Sequence, residues 1–311
     1  MNNTAARSSI GLLYSRIVEN ESPYLQQGKR SFSRLFLANQ ETIEDPNMAL
    51  PSLANMRDFV WYAAINNCPD NQLKKWSCRG CLHIPGATFI SSFDSFFWGG
   101  HGYLAVDHLR KRIICSFRGI ANTRNKVSAL DVTRSPLIYT GDSSILVASG
   151  ILNTMESLDF ISPLAKLLHG NQHASYKVAF VGHSLGGSIA SLALIKAQAI
   201  PNLDWKRLEL YTWGQPRTGN SRFAQWYDKK PITSARVVNN TDSVPLVTST
   251  ALDYCHHMNE VWIQGPPNDY KLTYCSNKQL EDPNCSASTP LLNIRESYHM
   301  VYFGVDLQHD C

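Results

Sequence analysis

Apolar residues recur along this chain in two rhythms. Between Ser52 and Asn67, the residues Leu53, Met56, Val60, Ala63 and Ala64 fall on one helical face, and Ser52 or Asn55 is placed to cap that helix. The short apolar runs Gly102 to Val106 and Arg112 to Phe117, joined by the polar turn Asp107 to Lys111, predict two strands. Gly119 to Thr140 is polar and irregular. Asp142 to Leu168 carries Ile145, Ala148, Ile151, Leu152, Met155 and Leu158 at helical spacing and predicts one long helix, broken at Pro163. Val178 to Val181 then runs straight into small, helix-tolerant residues that continue to Ala197, a strand followed at once by a helix. Arg207 to Trp213, Ala235 to Asn239 and Met258 to Ile263 read as further strands, and Ser221 to Asp228 and Leu291 to Tyr302 as helices. Strands alternating with helices predict an α/β fold, with a mainly parallel sheet covered on both faces.

Residues 1–50 lack this rhythm and are interrupted by Pro23 and Pro46, with Pro51 just beyond; they read as an N-terminal extension ahead of one domain over 51–311. Lys29-Arg30 within it is either a dibasic cleavage site of a pro-segment or an exposed charged pair. A length of 311 residues with 43% hydrophobic and 17% charged content suffices for a sizeable core under a sparsely charged surface. The net charge of +4 is spread along the chain, and without a Lys/Arg run nucleic acid is not an expected partner. No stretch has the apolar length of a membrane span, and the first thirty residues show no apolar h-region of a signal peptide. Asn2, Asn20, Asn239 and Asn284 head Asn-x-Ser/Thr sequences that permit glycosylation.

Eight cysteines are many for a cytosolic enzyme. Cys68 and Cys311 lie near the two ends of the expected domain, Cys78 and Cys81 sit close together, and so do Cys275 and Cys285; three bridges of that kind suit an oxidising compartment. Cys115 and Cys255 adjoin apolar runs and read as buried thiols. A redox dithiol or half a zinc site is the rival for Cys78/Cys81, but zinc wants a second close pair and Cys275/Cys285 is too wide.

The candidate chemistry starts at Gly182-His183-Ser184-Leu185-Gly186, a G-x-S-x-G sequence at a strand-to-helix junction. A serine on so sharp a turn is strained, and side chains at positions 182 and 186 would collide with strand and helix. The Leu185 N–H at the helix start is placed to bind a developing oxyanion. The alternative is a Gly-rich turn with a buried serine. A serine nucleophile needs a base and an orienting acid further along the chain. His299 is the candidate base, with His256 and His257 in reserve. Asp242 directly follows a strand and is the candidate acid, ahead of Asp204, Asp228 and Asp253; an ordinary Asx turn is its alternative. A second oxyanion donor is expected from the Ile120 amide after the strand Ile113 to Phe117, with Gly119 allowing a sharp turn and Arg118 tying loops together.

The segments SFRG (Ser116 to Gly119), GHSLGG (around Ser184), TWGQPRTGN (Thr212 to Asn220), NNTDSVP (around Asp242) and YHMVYFG (around His299) resemble those of fungal class 3 lipases, triacylglycerol lipases and related feruloyl esterases, over about residues 52–311. The cysteines resemble those of the secreted yeast branch, which implies the pairs Cys68–Cys311, Cys78–Cys81 and Cys275–Cys285. The resemblance also implies an α/β-hydrolase fold, a secreted protein, and a lid over about Ala121 to Pro136. Two departures stand out. The position of Ile120 usually carries Ser or Thr in the family, and this lid is polar, with Val127, Leu130 and Val132 as its apolar contributors.

The expectation is a serine lipase or esterase acting on acylglycerols through Ser184, His299 and Asp242, with Leu185 and Ile120 as oxyanion donors and no cofactor or metal. Its partners would be a lipid or ester substrate and the lipid–water interface, met by a monomer. The expected apolar trough runs near Trp98, Phe117 and Pro245. Two alternatives stay open: an esterase on soluble esters, and a lipase-fold protein of little activity.

Overall fold

The computed structural model describes residues 50–119, 133–257, 259–267, 269–276 and 279–311. The N-terminal extension, Ile120 and most of the expected lid lie outside the described residues.

Eight strands form the central sheet: β1 (Ala87–Asp94), β2 (His101–Asp107), β3 (Arg112–Phe117), β4 (Lys177–His183), β5 (Leu208–Trp213), β6 (Thr233–Asn239), β7 (Glu260–Gln264) and β8 (Lys271–Tyr274). Their order in the sheet is their order in the chain. β3 to β7 pair in parallel, while β1, β2 and β8 are antiparallel additions at the edges. Parallel neighbours in one running order send successive crossovers to the same side. That side carries α2 (Ser149–Glu156), α3 (Ile161–His169), α4 (Leu185–Ala197) and α5 (Ser221–Asp228). The opposite face is covered by α1 (Leu53–Ile65) and the C-terminal tail.

The period of two along each strand sorts side chains between these layers. Val178 and Phe180 of β4 and Leu208 and Leu210 of β5 pack with Ile151, Leu164, Ile189 and Phe223 from the crossover helices. Ala179, Val181, Tyr211 and Trp213 point the other way, against Phe59, Val60 and Ala63 of α1. α4 lies against the sheet and is buried almost all round, which is why its sequence is apolar and small throughout. The Ser52 hydroxyl caps α1, accepting the Asn55 N–H at 3.2 Å.

Three parts of the pattern fold otherwise than their periodicity implies. Asp142 to Leu168 is not one helix but a short strand, Leu146–Ala148, followed by α2 and α3. The break falls before α3 and Pro163 sits in its first turn, where a missing N–H costs nothing. Leu291 to Tyr302 is a run of single 3-10 turns ending in a strand, because Arg295 pairs with Asp242 across the chain instead of with its own turn. The edge strands β1 and β8 have no counterpart in the sequence reading; β1 is half exposed and carries an irregularity between Phe89 and Ser91, which breaks its alternation.

Disulfides join Cys68 to Cys311, Cys78 to Cys81 and Cys275 to Cys285, the pairs implied by the resemblance. The first fastens the C-terminus beside the end of α1, so the tail that follows His299 is held at both ends. Cys115 and Cys255 are buried thiols. Burial pushes both up, Cys255 to about 12, so neither is a reactive thiolate.

Candidate active site

The C-terminal edge of the parallel strands gathers the candidate residues. β4 ends at His183, and Ser184 follows with φ 59° and ψ −134° before α4 begins at Leu185. Backbone of this kind is rare outside glycine and persists only where its surroundings hold it. Here the Ser184 N–H donates to the Trp213 carbonyl at 2.9 Å. A Cβ on Gly182 would come within 2.2 Å of the Gly186 carbonyl oxygen, and one on Gly186 within 2.2 Å of that of Phe117. Both glycines are therefore there for close approach, as the motif implies. Ser184 is half-buried while its neighbours in the elbow are buried. Leu185 opens α4, where the first N–H groups have no acceptor inside the helix.

Gly119 lies two residues beyond the end of β3. It does not have a positive φ; instead it lies against the serine, and a Cβ there would sit 3.2 Å from Ser184 Cβ. The chain leaving β3 thus passes directly over Ser184. The Arg118 backbone N–H donates to the His101 carbonyl at 2.9 Å, and its Nε is buried without a hydrogen-bond partner among the described residues. Burial holds its guanidinium below its ordinary value.

Asp242 and His299, 57 residues apart in the chain, meet in the fold. His299 Nδ1 lies 2.9 Å from Asp242 Oδ2, with both residues buried. That contact places the proton on Nδ1 and leaves Nε2 as the basic nitrogen. Asp242 Oδ2 also accepts the Tyr302 hydroxyl at 2.8 Å, and Oδ1 accepts the Val244 N–H at 2.9 Å. Burial and the neighbouring carboxylate raise Tyr302 well above its ordinary value, so it stays a donor.

The loop bearing His299 is pinned from two sides. Asn239, the last residue of β6, donates through Nδ2 to the Tyr298 and Val301 carbonyls at 3.2 and 2.7 Å. His183 Nε2 donates to the His299 carbonyl at 2.7 Å, with the two rings 4.4 Å apart. Burial, with the His299 ring beside it, holds His183 well below its ordinary value, so it is neutral and its one N–H serves that bond. The residue before Ser184 is therefore bonded to the backbone of His299. Asn239 is buried by these bonds, which rules out its native side chain as a glycan carrier, whereas Asn284 is exposed.

Sequence reasoning missed Tyr302 and Gly214. Gly214 follows β5 with φ 58°, and a Cβ there would lie 2.6 Å from Tyr302 Oη, 2.7 Å from His299 Nδ1 and 2.8 Å from Asp242 Oδ2. The Gly-Gln-Pro after a strand was its signal. Tyr302 follows His299 by three residues, and nothing local marks it out.

The other candidates are occupied elsewhere. His256 Nε2 donates to the Pro245 carbonyl at 2.9 Å, and His257 stacks on Tyr227 with centroids 4.7 Å apart. Asp204 caps the turn Trp205–Arg207, Asp253 binds Ser221 and Arg134, and Asp228 ends α5. Phe117 itself is packed in the core against Phe93, Phe160 and Phe180.

A parallel sheet with a strained serine elbow, and an aspartate and histidine on later loops, is an α/β-hydrolase fold. Residues 114–251 match the family model for lipase (class 3). The chain is 31% identical over 233 residues to a lipase of Rhizomucor miehei, a match covering 74% of this chain and 62% of that one. It is 28% identical to the secreted mono- and diacylglycerol lipase A of Penicillium cyclopium, covering 77% and 75% of the two chains. Among solved structures, a triacylglycerol lipase whose catalytic centre is described as a serine protease triad superposes with a TM-score of 0.73 at 27% identity, covering 83% of this chain and 97% of that one. The chain thus resembles the fungal class 3 lipases in sequence and in fold. It spans about six-tenths of the length of the Rhizomucor relative.

Proposed function

We propose that this protein is a serine hydrolase of acylglycerol esters. The observation that carries the reading is the buried His299–Asp242 contact of 2.9 Å at the sheet edge where Ser184 occupies a strained elbow. In this reading His299 Nε2 takes the Ser184 hydroxyl proton as Oγ attacks the ester carbonyl. Asp242 holds the Nδ1 tautomer and offsets the imidazolium charge, and Tyr302 keeps the carboxylate aimed. The Leu185 N–H receives the oxyanion, and the Ile120 N–H, outside the described residues, is its proposed companion. The imidazolium returns its proton to the leaving alcohol, and water then releases the acid from Ser184.

Acylglycerols are favoured as substrates by the names of the Penicillium mono- and diacylglycerol lipase and of the triacylglycerol lipase that shares the fold. Secretion is favoured by the three disulfides and by the likeness to the secreted Penicillium enzyme. Residues 1–50 are proposed to be an N-terminal extension, cut within it at Lys29-Arg30, ahead of a monomeric domain over 51–311 that meets its substrate at a lipid–water interface.

Hydrolysis of p-nitrophenyl butyrate, p-nitrophenyl laurate and emulsified triolein by wild type and Ser184→Ala tests the reading. Turnover that vanishes in the variant is expected. Equal rates for the two proteins on every substrate would remove the serine mechanism.

A further inference from the structure

The turn between β1 and β2, Ser95 to Gly100, reads Ser-Phe-Phe-Trp-Gly-Gly and carries no charge. Phe96 is 95% and Phe97 87% exposed, the reverse of where phenylalanine is ordinarily found. This turn is built rather than loose. The Ser95 N–H donates to the Gly100 carbonyl at 2.8 Å, the Gly99 N–H to the Ser95 carbonyl at 2.9 Å, and the Trp98 N–H to Ser95 Oγ at 3.2 Å. The two rings stand edge to face with centroids 5.7 Å apart, and at the neck His101 Nδ1 meets Asp94 Oδ1 at 2.6 Å. The backbone therefore holds both rings out in water.

Strand register shows which way they point. Gly102 of β2 pairs with Phe117 of β3, and Phe117 with Gly182 of β4, two residues before Ser184. The turn thus projects past the same sheet edge as the elbow. With strands about 4.8 Å apart, β2 lies roughly 10 Å to one side of β4. On the other side of Ser184, Leu292 is 90% exposed in the segment that Arg295 ties to Asp242. Two apolar points therefore flank the serine along one edge.

We propose that Phe96 and Phe97 are a fixed footing in an uncharged lipid surface, with Leu292 as the opposite footing, so that the surface is seated across the mouth over Ser184. The absence of charge from Ser95 to Gly100 fits a neutral lipid phase, and aromatic rings on a rigid turn lose little freedom on entering it. A knob of two side chains is too small for a stable protein interface, which needs on the order of 800 Å² per partner. The inference rests on the proposed hydrolase reading for the use of that surface, but not for its binding.

The test is partition of the full chain onto phosphatidylcholine vesicles, which carry no net charge, for wild type and Phe96→Ser/Phe97→Ser. Both side chains are exposed, so folding is unaffected. The double variant is expected to bind at least about tenfold more weakly and to lose rate on emulsified triolein, while dissolved p-nitrophenyl butyrate is hydrolysed as by wild type. Trp at both positions restores vesicle binding. Unchanged vesicle partition of the Ser variant overturns the inference, as does a wild-type dimer that becomes monomeric in the variant with vesicle binding unaltered. A Ser184→Ala protein as active as wild type would instead defeat the hydrolase reading and leave the vesicle result standing.

Discussion

Replacing Gly214 by Ala puts one methyl group among the three atoms that define the candidate acid–base pair. At φ 58° an L residue costs about 1–2 kcal/mol of backbone strain. The added Cβ would lie 2.6–2.8 Å from Tyr302 Oη, His299 Nδ1 and Asp242 Oδ2, and returning these atoms to ordinary contact takes displacements of about 0.6–0.8 Å. Misplacement by about 1 Å costs on the order of a hundredfold in rate, so kcat/KM on p-nitrophenyl butyrate should fall by roughly that factor. Gly141 supplies the control, since its φ is 73° and nothing lies within 4 Å of an added Cβ. Gly141→Ala should show the same strain in thermal melting with wild-type kinetics. A Gly214→Ala enzyme within threefold of wild type would refute the account, and so would equal activity losses in the two variants.

Two further outcomes test the surroundings of the pair. Tyr302→Phe removes one donor from the buried Asp242, which should lower stability by about 1.5–3 kcal/mol. The less satisfied carboxylate then holds the imidazolium more tightly, so the acid limb of the pH profile of kcat/KM should move to higher pH with KM unchanged; an unmoved limb would show that Tyr302 only packs. The second concerns buried neutral histidines. Burial, then Arg236 and Arg217, hold His256 well below 6.5, and burial does the same for His183. Below pH 6.5 the unfolded chain binds protons that the folded one does not, so stability falls as pH falls, by about 1.4 kcal/mol per pH unit for each histidine. Urea melts of His256→Gln between pH 4.5 and 7 should show a shallower loss than wild type, and an identical slope would refute the assignment.

Much of this was legible in the residues themselves. The elbow was, because Gly182, Ser184 and Gly186 answer to a purely local constraint: a turn so tight that any side chain at either glycine meets backbone. The strands β4 and β5 were legible for the same kind of reason, since a strand buried on both faces between helices has few permitted residues. Asp242 and His299 could be nominated from their place after strands, and the structure brings them to 2.9 Å. What the chain could not state locally is whatever depends on contacts between distant segments. The helical spacing of Asp142 to Ala148 yields to pairing with Arg134–Pro136 and Gly219, because ladder bonds from other segments outweigh a weak helical preference. The tail before His299 gives up its helix to pair Arg295 with Asp242. Gly214 and Tyr302 acquire their meaning only when β5, β6 and the C-terminal tail converge on one carboxylate. Local sterics wrote the nucleophile's turn into the sequence, and long-range packing alone decided what surrounds its partners.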